Sequence, residues 1–111
     1  MKQTFTCPVE LALDMLGGKW RTVILANIKE GAVRYGDLRR CIPHMSDKML
    51  TQRLRELVAT GLVAHEAGTY LLTPRAERAR VALTALHAWG ESLVPELGVR
   101  IQPAALGRAE A

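Results

Sequence analysis

The stretch Ser46 to Thr60, SDKMLTQRLRELVAT, decides how the rest of the chain is read. At about 100° per residue, Leu50, Leu54, Leu57 and Val58 fall within one narrow arc, and Lys48, Thr51, Gln52 and Arg55 fall opposite. Ser46 suits the N-cap, since its hydroxyl can accept from an amide of the first turn. A helix of this kind has one side for a core and another carrying the groups that read DNA. Arg pairs bidentately with guanine, Gln with adenine, and Lys neutralises phosphate. The helix N-terminus at Ser46 adds an anion site. A merely solvated polar face is the competing reading of the same stripe.

Working outward, Tyr35 to Ile42 predicts a brief helix. Pro43-His44-Met45 then forms a connection, because Pro43 disfavours a helical Ile42. On the other side, after Gly61, LVAHEAGTYLL predicts two short strands about Ala67-Gly68, with Val63, Thr69 and Tyr70 supporting extended backbone. Helix, short turn, helix, hairpin is the order of a winged helix-turn-helix, in which the second helix enters the major groove.

Three further helices complete the expectation. Pro8 to Leu16 places Val9, Ala12, Leu13 and Leu16 along one face before Gly17-Gly18. Trp20 to about Lys29 turns Trp20, Val23, Ile24 and Ile28 inward. A long helix opens at Thr73-Pro74, repeats Ala82, Leu86, Trp89 and Leu93 as one stripe, and ends near Pro95 to Gly98. The predicted fold is therefore mainly α with a small β-hairpin. One domain covers residues 1–97, and residues 98–111 form a loosely ordered tail.

The 111 residues carry a formal charge of +4, which suits a polyanionic partner only if it is concentrated. It is: between Arg34 and Arg55 lie Arg34, Arg39, Arg40, Lys48, Arg53 and Arg55 against Asp37 and Asp47, the same excess as the whole chain. These sequence positions make Arg34, Arg39, Arg40, Ser46, Lys48, Met49, Thr51, Gln52 and Arg55 the candidate DNA-binding residues.

Other classes are disfavoured by the residues present. Apolar runs such as TVILANI and VALTALHAW fall short of the roughly 18 residues of a membrane span. MKQTFTCPVE lacks an export signal's apolar region, so a cytoplasmic protein without membrane association is expected. Cys7, Cys41 and His44 lack the spacing of a metal site, so neither metal nor cofactor is expected. His44, His65 and His87 sit on a turn, a hairpin and a helix without a nucleophile or phosphate-loop motif, so no catalytic residues are expected and the chain reads as a non-enzyme.

Two segments carry a family resemblance. CPVELALDMLGGKW, Cys7 to Trp20, and MSDKMLTQRLRELVATGLV, Met45 to Val63, resemble the signature segments of the HxlR family of winged-helix regulators, and the likeness spans roughly Cys7 to Trp89. The resemblance implies a homodimer joined through its first and last helices that binds double-stranded DNA operators and represses or activates genes. The faces Val9, Leu13, Leu16 and Leu86, Trp89, Leu93 agree, since together they exceed what a small winged domain must bury alone. Two-fold pairing would set the recognition helices about 34 Å apart. The chain departs from the family in its hairpin, shortened here to HEAGTY without the usual proline pair. With only His65 and Glu66 at the hairpin, the helix is expected to carry most of the affinity.

Cys7 precedes Pro8 at a helix start, where the macrodipole favours an anionic sulfur. Some HxlR-type proteins use a cysteine at this position to answer oxidants or electrophiles, so the resemblance makes Cys7 the candidate redox residue; a capping or interface role is the alternative. Cys41 reads as packing near the turn. Trp20 reads as a core anchor, and Trp89 as an interface residue or the lining of a small-molecule effector cavity. The competing functional class is a dimeric small-molecule or protein-interaction module that keeps the fold without operator binding.

Overall fold

The computed structural model describes residues 2–101. Among these residues, six helices and three strands follow in the order α1 (Pro8–Leu16), α2 (Lys19–Ile28), β1 (Val33–Arg34), α3 (Tyr35–Cys41), α4 (Asp47–Ala59), β2 (Val63–Glu66), β3 (Thr69–Leu72), α5 (Pro74–Glu77) and α6 (Arg80–Leu97). The residues of the expected tail from position 102 onward lie outside the described residues.

The core forms where three helices meet the sheet. Leu50, Leu54 and Leu57 of α4 are buried against Ile24, Leu25 and Ile28 of α2, Leu38 of α3 and Val33, Val63 and Leu72 of the strands. Each such side chain taken from water contributes roughly 1.5–3 kcal/mol. The inward arc of α4 is narrower than its sequence suggests, because Val58 lies at its margin and is 41% exposed. Met45 and Ile42 are buried beneath the connection between α3 and α4, so that turn is anchored from below.

The sheet has the order β1-β3-β2, antiparallel throughout. Val63 pairs with Leu72 and His65 with Tyr70; Val33 pairs with Tyr70 and Arg34 with Thr69. Ala67 and Gly68 join β2 to β3 with φ of 50° and 79°. Two successive positive φ values give a tight connection whose twist matches the strands, which is why a small residue and a glycine stand there. The strand β1 has no sequence signature of its own: two residues cannot display a period-two pattern, and Val33-Arg34 is defined only by its partner β3.

The last helical region differs from expectation. A short α5, N-capped by the Thr73 hydroxyl accepting from the Ala76 amide, ends at Glu77, and α6 begins at Arg80. The separation lets Ala76 stay in the core while α6 leaves it. Along its 18 residues, about 27 Å of helix, α6 buries only Leu83. It continues through Pro95 and stops at Gly98, a left-handed cap with φ of 66°. Among the residues of α1, none is buried.

α1 is nonetheless fixed. Gly17, with φ of 75°, closes the helix, and Arg21 of α2 donates to the Met15 carbonyl at 2.9 Å. The guanidinium passes so close to Gly17 that any side chain there would collide with it. At the other end Glu10 accepts from the Thr6 amide and from Lys2, both at 2.6 Å. The Lys2 bond and then the Thr6 contacts hold the Glu10 carboxyl below the usual carboxylate range.

Candidate nucleic-acid interface

The turn between α3 and α4 is tied by polar contacts as well as packing. Ser46 is the N-cap of α4, its hydroxyl accepting from the Met49 amide at 3.1 Å. Asp47, the first residue of α4, receives the Tyr35 hydroxyl at 2.8 Å and lies 2.9 Å from Nε of Arg39. Arg39 also donates to the Met45 carbonyl. Two residues of α3 thus grip the start of α4.

These contacts sort the basic residues. Arg39 is engaged with Asp47, Arg40 with Asp37, and Arg53 with Glu56 at 2.5 Å. The Arg53 bond and then that of Gln52 hold the Glu56 carboxyl below its ordinary value. Ion pairs on the protein therefore take up both acids that the sequence set against the basic cluster. Lys48, Arg55 and Arg34 remain exposed, without an ion pair among the described residues. Lys48, Gln52 and Arg55 form one solvent-facing row on α4, with Gln52 donating to Glu56 at 3.2 Å. Thr51 beside them is half-buried and near the Tyr35 hydroxyl. Met49 packs against the core, which leaves less of its side chain for a ligand than that of Lys48.

Sequence reasoning left the hairpin without a cation, and the fold supplies one. Arg34 pairs with Thr69 next to the hairpin turn, and its guanidinium lies 3.2 Å from where a Cβ of Gly68 would stand. The signal was hidden because the two residues are 34 positions apart and the strand that joins them is unreadable alone. Between the hairpin and α4, Thr51, Arg55, Val58, His65 and Tyr70 line an open cleft, with the His65 and Tyr70 rings stacked at 4.0 Å. Burial, and then the nearby Tyr35, raise the Tyr70 hydroxyl above its ordinary value, so at neutral pH it stays an uncharged donor.

Away from this surface, the outward faces of α1 and α6 are apolar. Val9, Leu13 and Trp89 are each more than 60% exposed and Leu86 is 44% exposed, while Leu16 and Leu93 are half-buried. Trp20 is half-buried against the core. Cys7, the N-cap of α1, is exposed, and Cys41 is half-buried; both are free thiols. Among the described residues no group of His, Cys, Asp and Glu is arranged to hold a metal, and no helix is long and apolar enough to cross a membrane.

Comparison with known proteins agrees with this architecture. Residues 15–97 match the model of the HxlR-like helix-turn-helix family. An HTH-type transcriptional regulator of Methanothermobacter thermautotrophicus is 35% identical over 94 residues, covering 78% of this chain and 72% of that protein. Among solved structures, the oxidised form of the redox regulator HypR is 35% identical with a TM-score of 0.68, covering 78% of this chain and 96% of that one. The quinone-bound YodB of Bacillus subtilis is 30% identical with a TM-score of 0.68, covering 78% and 99%.

Proposed function

The chain belongs to the HxlR-like helix-turn-helix family of transcriptional regulators, and from that premise we propose that it binds operator DNA as a cytoplasmic homodimer, with α4 in the major groove. The row Lys48, Gln52 and Arg55 carries this reading. It is exposed on a helix whose opposite side is buried and whose start is clamped by Arg39 and Tyr35. A side chain that reads base edges must project from a rigid element, because a small displacement forfeits a bidentate pair.

In this reading Arg55 and Gln52 face base edges, Lys48 and the N-terminal turn at Ser46 meet phosphate, and Arg34 brings the hairpin against the backbone of the flanking groove. Arg39 positions α4 from α3, whereas Arg40 is held by Asp37 on its own helix. Pairing through Val9, Leu13 and Leu16 of α1 and Leu86, Trp89 and Leu93 of α6 would cover apolar surface too extensive to be left to water. It would also set two α4 helices about one turn of DNA apart. The direct test is competition binding of the full chain to DNA from beside its own gene against unrelated DNA at moderate salt; equal affinity for the two would refute the reading.

A thiol switch at Cys7 is compatible with this function. The sulfur is exposed at the start of α1, two residues from Val9 on the proposed pairing face. Oxidation or alkylation there would act on the dimer and, through it, on the spacing of the recognition helices.

A further inference from the structure

We propose that Glu56 is a positioning residue for base recognition, which fixes the side-chain amide of Gln52 in the one orientation that reads adenine and refuses guanine. The inference rests on the reading of α4 as the helix in the major groove, and it gives that reading a stated specificity at one base step.

Gln52 and Glu56 stand one turn apart on α4, so their side chains meet on one face. Gln52 Nε2 donates to Glu56 Oε2 at 3.2 Å, and the same oxygen accepts from Nη1 of Arg53 at 2.5 Å. Gln52 is exposed, whereas Glu56 and Arg53 are half-buried beside it. The Arg53 bond first, then the Gln52 bond and, behind them, the charge of Arg21 on α2 hold the Glu56 carboxyl below its ordinary value, so it is ionised at neutral pH. Arg21 is itself fastened to the Met15 carbonyl at 2.9 Å. Positive charge from two helices thus keeps Glu56 anionic.

An ionised carboxylate only accepts hydrogen bonds. Of the two ends of the Gln52 amide, the NH2 group alone can face it; a flipped amide would set its carbonyl oxygen against the anion. In a primary amide one N–H lies on the carbonyl's edge and the other points away from it, so the second can stay with Glu56 while the first meets a base. One N–H and the carbonyl oxygen are then left for DNA. They match the major-groove edge of adenine, where N7 accepts and the N6 amine donates. Guanine presents two acceptors, N7 and O6, and would need both N–H groups. The donor count therefore decides between the purines, and the fixed order of donor and acceptor distinguishes adenine on one strand from adenine on the other.

The test selects bound duplexes from a random-sequence DNA library, using the full chain, Glu56→Gln, Gln52→Ala and the double variant. Competition binding then compares the four base pairs at each step of the selected site. The wild-type chain should show a step in each half-site where adenine is preferred over guanine by about tenfold or more. Gln52→Ala should lose that preference. In Glu56→Gln the new amide can donate to the Gln52 carbonyl and free both N–H groups, so guanine should compete nearly equally with adenine there while the other steps keep their order. Loss of the carboxylate should also raise affinity for every sequence. The double variant should show that general gain and no further change in preference, which separates positioning of Gln52 from a merely structural role. With the wild-type chain, 7-deazaadenine, which lacks N7, and 2-aminopurine, which lacks the N6 amine, should each weaken binding severalfold at this step.

The proposal is overturned if Glu56→Gln or Gln52→Ala keeps the preference for adenine over guanine, or if 7-deazaadenine is tolerated. Those outcomes leave operator binding standing, because the wild-type chain has then selected a site. Failure of the wild-type chain to enrich any sequence overturns operator binding, and this inference with it.

Discussion

Nε of Arg39 on α3 lies 2.9 Å from Oδ1 of Asp47 at the start of α4. The pair converts a basic residue that the sequence offers as a DNA contact into a brace for the helix that carries the others. Arg39→Ala also removes the bond to the Met45 carbonyl and should cost about 1–2 kcal/mol in urea denaturation, at the upper end for a partly exposed network. Its effect on DNA affinity should be the same for cognate and unrelated sequences. A sequence-selective loss would assign Arg39 to a base instead.

The faces of α1 and α6 predict an oligomer that can be dissociated without unfolding. Trp89→Ala combined with Leu13→Asp removes apolar surface that the single chain leaves exposed, so the helical content should remain while sedimentation shifts from dimer to monomer. Operator affinity should fall because two half-sites are no longer bound together.

Cys7→Ser separates a thiol switch from a capping role. If oxidation acts through this residue, diamide should weaken operator binding of the wild-type chain and leave Cys7→Ser unaffected, and the serine variant should keep the reduced protein's affinity. Equal responses of both chains would contradict it.

The acid stability of the fold follows from its lowered carboxyls. Glu56, held down first by Arg53, and Glu77, held down first by Arg80, have folded values below their ordinary ones. The stability they add is present above the ordinary carboxylate value and is lost as the pH falls through the lowered one. Thermal melts should therefore be flat from neutral pH down to the ordinary carboxylate range and decline below it. Because Glu77 is exposed and Glu56 only half-buried, Glu56→Gln with Glu77→Gln should flatten only part of that decline.

The sequence makes most of this legible where periodicity repeats. The α4 stripe, the glycine closing α1 and the Ala67-Gly68 turn each announce themselves within a few residues, and each stands in the structure. What it does not show depends on residues far apart. β1 exists only through β3, so the approach of Arg34 to Gly68 has no local signal. The division of charges is hidden for the same reason, since a tally of cations does not reveal that Arg39, Arg40 and Arg53 are already paired. The apparent single helix after Thr73 divides at Arg78-Ala79, where no proline or glycine marks the break.

The central claim is that α4 reads DNA through Arg55 and Lys48, and quantitative binding of the two alanine variants to an operator and its point mutants across a salt series tests it most directly. Arg55→Ala should cost about 1–3 kcal/mol on the operator and relax discrimination at one base position, whereas Lys48→Ala should weaken all sequences alike and reduce the salt slope by about one. Unchanged affinity and salt slope in both variants would contradict the account.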